Sequence, residues 1–255
     1  MLHKTIEIIK ARWPEVTLVV VFQAGLTLLM EKIMHSIGPE ALRLEQLPPE
    51  WAIFALGLGW MLMMIVWQML YLGFLRTAAV DGPAQQEPMT LLMTGRVFFW
   101  RFLWMQILIA TILWAVTGVL AVLGAYVMGH RDVQSIPQWI FNTAEIGAVV
   151  LLIKPFFLIP AFILAMDITA MDAFFRMQQV RLKEMGPLPK VYIFGLGIIA
   201  VAIITSALAP EKGTVYYMVA GFNFLVQGLI TLILMLATTL FIADQMIQAQ
   251  TPQDE

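Results

Sequence analysis

The chain has no cysteine, which excludes disulfides, cysteine-ligated metals, iron–sulfur clusters, thiol catalysis and palmitoylation together. Charge is scarce: 13% of the 255 residues are Asp, Glu, Lys or Arg, against roughly 25% in an ordinary soluble domain. Fifteen basic and seventeen acidic residues leave a formal charge of -2, and the basic ones are scattered between apolar segments. Nucleic-acid binding therefore has no electrostatic footprint. There is no GxSxG, HExxH, P-loop or dinucleotide fingerprint, and no pair of carboxylates at catalytic spacing, so the residues point to no cofactor, no metal and no enzyme chemistry.

Apolar residues are abundant instead. They make up 60% of the chain, with a mean hydropathy of +0.84, and they gather into runs too long for one soluble core. The expected fold is all-α: a polytopic membrane bundle over residues 1–243, with a polar tail at 244–255. Six spans are expected, at about 16–37, 51–75, 97–128, 146–166, 191–208 and 215–242.

Two further segments read as amphipathic helices lying in the headgroup layer. In residues 1–13, Leu2, Ile6, Ile9 and Trp13 share a face, and Glu7 together with the lack of a small-x-small site argues against a cleaved signal peptide. In 167–185, Asp172, Arg176, Gln179 and Lys183 recur opposite Met171, Phe175, Leu182 and Met185, with Asp172 and Arg176 expected as an i,i+4 pair. The segment 77–96, with its AVDGPAQQEP, reads as a surface loop carrying a turn or two of helix.

Lysine and arginine counts set orientation. The N-terminus, the second loop with its VFFWRFLW girdle and the fourth loop carry ten, whereas Lys32, Arg43, Arg131 and Lys212 are the four on the other side. Both termini are accordingly expected in the cytoplasm. Arg101, inside the girdle, is expected to snorkel to the headgroups.

Few polar residues fall inside spans. Lys154 is the sharpest, since a mid-bilayer lysine costs at least ~2.5 kcal/mol and marks a functional site by default. It also stands next to Pro155, which frees the Leu151 carbonyl, so local repair of the helix is the competing reading. Pro155 and Pro160, in KPFFLIP, predict a kinked or partly unwound fourth span. The other interior polar groups are Gln23, Gln68, Gln106 and a stripe of Asn223, Gln227 and Thr231 repeating every four residues. Such a stripe either glues helices or lines a pathway. His35 and His130 could be imagined as two metal ligands, but they have no acidic companion. Gly118, Ala121 and Ala125, and Gly195 with Gly197, are expected to allow close helix approach.

Two stretches carry a family likeness: AVDGPAQQEPMTLLMTGRVFFWRFLWMQILIATILW, at 79–114, and PAFILAMDITAMDAFFRMQQVRLKEMGPLPKVYIFGLGIIA, at 160–200. The chain resembles the loose superfamily of six-helix bacterial inner-membrane proteins that includes the membrane domain of glycerophosphoryl diester phosphodiesterases. In that pattern a span ends in a proline and apolar residues, followed by an acidic position and an amphipathic helix with alanine and basic residues. Pro160, Asp167, Ala173 and Arg176 occupy those places, while Phe174 and Phe175 depart from the usual small or serine-rich helix. The resemblance implies a bacterial inner-membrane bundle. It implies no hydrolase activity, because no loop or tail is long enough for the soluble catalytic domain.

Two functions follow as expectations. One is a non-enzymatic scaffold or assembly subunit, meeting membrane lipids and protein partner subunits through helices 1–13 and 167–185. The other is a transporter, channel or lipid-handling protein built on Lys154, Pro155, Asn223 and Gln227.

Overall fold

The computed structural model describes residues 2–36, 50–128, 138–180, 185–207 and 214–250. Among these the chain is entirely helical, in eight helices: α1 (Leu2–Ala11), α2 (Trp13–Ser36), α3 (Glu50–Val80), α4 (Pro88–Val127), α5 (Gln138–Met166), α6 (Ala170–Gln179), α7 (Leu188–Ala207) and α8 (Thr214–Gln250). Four of them are long and apolar enough to cross a membrane, or five if the bent pair ending at Gln179 counts as one span.

The helices start and stop where backbone chemistry dictates. Pro14 has no N–H, so α1 ends at Ala11 and α2 begins with that proline in its first turn. Residues 77–96 are not a loop: α3 runs on to Val80 and α4 opens at Pro88 behind an extended Glu87. Proline there is a helix starter, with φ preset and no donor to waste, and only 81–87 connect the two helices. α8 stays helical to Gln250, through the first residues of the polar tail.

α5 passes through Pro155 and Pro160 without unwinding. The break comes after Met166, where the chain turns by 116° into α6. Asp167 makes that turn at φ +55° and donates its N–H to the Ile163 carbonyl at 3.1 Å, a left-handed cap in the position that glycine usually takes. The amphipathic segment is shorter than the sequence pattern suggests, ten residues from Ala170 to Gln179; Leu182 and Lys183 lie outside the described residues.

α3 packs most extensively on α4, α4 on α5, and α8 on α5 and α7. Glycine sets the tightest crossing. A Cβ on Gly73 would overlap the backbone of Leu91, and one on Gly95 would overlap that of Met69, so α3 and α4 touch backbone to backbone. Of the small residues expected to serve this way, Ala121 and Ala125 do, buried with Ile140 and Ala144, and Gly195 does, against Leu234. Gly118 and Gly197 have nothing within 4 Å.

The main core gathers at one end of the bundle, from Leu70–Ala78 of α3, Leu91–Met105 of α4, Phe157–Leu164 of α5 and Leu232–Ile242 of α8. α1 closes that end. The face it buries is Thr5, Ile8 and Ile9, with Arg12 just beyond, while Leu2, Ile6 and Trp13 are exposed. Of the apolar face formed by Leu2, Ile6, Ile9 and Trp13, only Ile9 is taken up by packing against α8 and α2, and the other three stay exposed.

Candidate functional site

Five helices converge on a cavity of about 340 Å³, within the size range of small-molecule sites. α2 contributes Gln23, α3 contributes Trp67, Gln68 and Tyr71, α4 contributes Gln106, α5 contributes Phe156 and Pro160, and α8 contributes Thr231. The three glutamines that stand alone in the sequence, each on a different helix, therefore face one space. Counting along each helix from the packed end at 1.5 Å per residue, Gln23, Phe156 and Gln68 lie roughly 15–18 Å deep.

The walls are held in place locally. Trp67 Nε1 donates to the Val19 carbonyl at 3.1 Å, tying α3 to α2, and its ring stacks on Tyr71 with centroids 5.4 Å apart. Gln23 fits because residue 228 is glycine: a Cβ there would sit 2.9 Å from Gln23 Oε1. Pro160 supplies no N–H, so the carbonyl of Phe156 lacks its helical donor, and both residues border the space. Gln106 and Phe156 are exposed, whereas Leu72, Phe102, Met105, Pro160 and Met235 form a buried floor.

Gln68 Nε2 is buried and makes no hydrogen bond. An orphaned amide in a dry interior costs about 1–3 kcal/mol and points to a ligand acceptor. The lining holds three carboxamides, the hydroxyls of Tyr71 and Thr231 and four aromatic rings, and no residue that carries a charge. An ion would shed its hydration there without a counter-charge, so the arrangement suits a neutral molecule with an apolar body and a few hydrogen-bonding groups.

The residues singled out in the sequence fall in several places. Thr231 reaches the cavity; Asn223, from the same stripe, is buried and donates from Nδ2 to Thr205 Oγ1 at 3.1 Å, joining α8 to α7. Gln227 is half-buried and outside the lining. Lys154 also lies outside it: its Nζ donates to the Val180 carbonyl at 2.5 Å, which caps the C-terminus of α6 instead of repairing the Leu151 carbonyl. Pro155 is half-buried beside it.

On α6 the expected Asp172–Arg176 pair is replaced by local capping. Thr169 Oγ1 accepts from the Asp172 N–H at 3.2 Å and donates to Asp172 Oδ2 at 2.7 Å, while Arg176 Nη1 reaches Met166 Sδ at 3.8 Å. A capping interaction one turn back holds the short carboxylate more closely than a long side chain one turn on. Gln179 is exposed and makes no contact with the cavity. His130 and the His35 side chain lie outside the described residues.

Sequence spacing gave no sign of two further polar contacts at the packed end. Arg76 Nη1 donates to the carbonyls of Leu164 and, at 3.1 Å, Ala165, capping α5 as Lys154 caps α6. Arg101 forms an ion pair with Asp167 and lies over the Phe98 ring at 5.7 Å. Both partners sit more than sixty residues away in sequence, so only the fold brings them together.

Compared with family models, curated proteins and solved structures, the chain has no match in any of the three.

Proposed function

We infer that this is a six-span, non-enzymatic bacterial inner-membrane protein that binds a neutral lipid or similar amphiphile in its amide-lined cavity. The observation that carries the reading is the convergence of Gln23, Gln68 and Gln106 on one space with the Gln68 amide unpartnered. Glue between helices would pair these amides with each other; three amides around an apolar hollow serve a guest. The cavity favours lipid handling over a scaffold role, with the three glutamines in place of Lys154, Asn223 and Gln227.

Six spans are supported by the lengths of α5, 29 residues, and α7, 20 residues, each meeting the ~20 needed to cross. The excess of lysine and arginine on one side supports cytoplasmic termini. The likeness of 79–114 and 160–200 to the six-helix superfamily supports the bacterial inner membrane as the setting.

The test is binding of a fluorescent diacylglycerol to the purified full chain, read by energy transfer from tryptophan. Gln68→Leu is expected to weaken binding about tenfold, equivalent to ~1.4 kcal/mol, while thermal stability holds or rises because an unsatisfied amide is gone. Equal binding by wild type and Gln68→Leu would refute the cavity as the site.

A further inference from the structure

A second hollow, of about 430 Å³, lies between Trp100, Arg101 and Trp104 of α4 and Thr169, Ala170 and Met171 at the start of α6. Trp100 and Trp104 are 65% and 66% exposed, as tryptophans at a membrane–water interface are. The charge that lines this groove is Arg101, with the Thr169 hydroxyl opposite, and Arg101 is ion-paired to Asp167, two residues before Thr169. The Arg101 and Asp167 side chains are 34% and 55% exposed, so neither partner of the pair is sealed from a molecule that lies on Arg101. The bond to Asp167 engages Nη1 of Arg101, one nitrogen of a fork that carries five N–H donors.

Asp167 is an expensive choice for its place. Among the described residues it is the only one other than glycine with positive φ, and the left-handed conformation carries a steric cost for an L-residue that glycine escapes. Closing α5 does not require a carboxylate. Its presence puts a negative charge against Arg101, which itself lines the aromatic groove.

We propose that this groove seats a phosphatidylethanolamine-class lipid of the surrounding bilayer. Its headgroup carries a phosphate and a primary ammonium, matching the Arg101–Asp167 pair charge for charge. The guanidinium takes the phosphate oxygens as a fork, the Asp167 carboxylate accepts from the ammonium N–H groups, and the glycerol and first methylenes lie on Trp100 and Trp104. An anionic headgroup would satisfy Arg101 but meet repulsion at Asp167. A choline headgroup balances the charges but has no N–H for the carboxylate. The site shares no residue with the amide-lined cavity and stands independently of the function proposed above.

Native mass spectrometry of the full chain, titrated with phosphatidylethanolamine, phosphatidylcholine and phosphatidylglycerol of identical acyl chains, tests it. The expected result is at least fivefold higher occupancy by phosphatidylethanolamine, lost to parity with phosphatidylcholine in Asp167→Asn. Trp104→Leu should lower occupancy by all three while leaving Asp167 in place, and Gln68→Leu should leave the preference untouched. No preference in the wild type, a preference for phosphatidylglycerol or phosphatidylcholine, a preference that survives Asp167→Asn, or a protein segment cross-linked into the groove in place of lipid would each overturn the proposal. If Asp167→Asn does not fold, the wild-type selectivity and Trp104→Leu still decide.

Discussion

Arg12 and Thr77, 65 residues apart, meet through a 2.8 Å hydrogen bond from Nη2 to Oγ1 inside the protein. Arg12 is fully buried; its Nε donates to Glu15 Oε2 at 2.9 Å, its guanidinium lies over the Phe74 ring at 4.9 Å, and Glu15 Oε1 accepts from the Gln86 N–H at 2.8 Å. One buried ion pair thus fastens the break between α1 and α2 to the end of α3 and to the turn before α4.

A buried pair penalises the loss of one partner more than the loss of both. Glu15→Leu alone should destabilise by about 3–5 kcal/mol, because it strands the Arg12 charge, whereas Arg12→Met combined with Glu15→Leu should recover most of that loss. Thermal unfolding in detergent, followed by size-exclusion chromatography, reads both. A double variant no more stable than Glu15→Leu would mean that the pair is not the fastening.

At the α3–α4 crossing, Gly95→Ala and Gly73→Ala should each cost about 2 kcal/mol or more, since the added methyl meets backbone that has no rotamer to move. Gly118→Ala, with open space around it, should be neutral or slightly stabilising. The contrast among the three is measurable in one series of melting curves.

Lys154→Met removes the donor to Val180. A hydrogen bond from a charged group is worth ~1.5–3 kcal/mol, so amide exchange over the last turn of α6 should speed up by tenfold or more, with little change in α3 or α4. Diacylglycerol binding should be unaffected, which separates a capping lysine from one that handles substrate.

Gly228→Ala should act on the ligand instead of the fold. The new methyl displaces the far end of the Gln23 side chain, a cheap movement, so stability should shift by less than ~0.5 kcal/mol while diacylglycerol binding weakens several-fold. Combined with Gln68→Leu the losses should fall short of additive, as two groups serving one ligand do.

The helical, lipid-facing character of the chain was legible in its apolar runs, and so were the ingredients of the cavity: Gln23, Gln68, Gln106 and Thr231 stand out as polar residues in apolar surroundings. Their convergence was not legible, because it depends on the rotation and order of five helices, which one sequence leaves open. Gly73 and Gly95 were missed for the same reason, since a glycine in a span reads alike whether it meets a neighbour or nothing, as Gly118 does. Proline misled twice. Pro88 reads as a loop residue although it opens a helix, and Pro155 and Pro160 read as the site of a kink or partial unwinding although α5 is helical through both and the sharp turn follows Met166. Lys154 drew attention through its cost, yet its partner, the Val180 carbonyl, is a backbone atom that no side-chain pattern advertises.

The concentration of the core at the α1 end has a bearing on how the bundle yields. Beyond Gln106, α4 presents Trp114, Val119, Tyr126 and Val127 almost bare, from 59% to 81% exposed, so that half of the helix is solvated chiefly by acyl chains. Rearranging it exchanges one hydrocarbon neighbour for another, and without a hydrophobic driving force between helices that exchange has a small free energy. At that end the protein's own hold on α4 is the short seam of Ala121 and Ala125 on Ile140 and Ala144. Under the function proposed above, the fluidity and chain length of the surrounding leaflet would then bear on how fast a guest reaches Gln68 as much as the protein does.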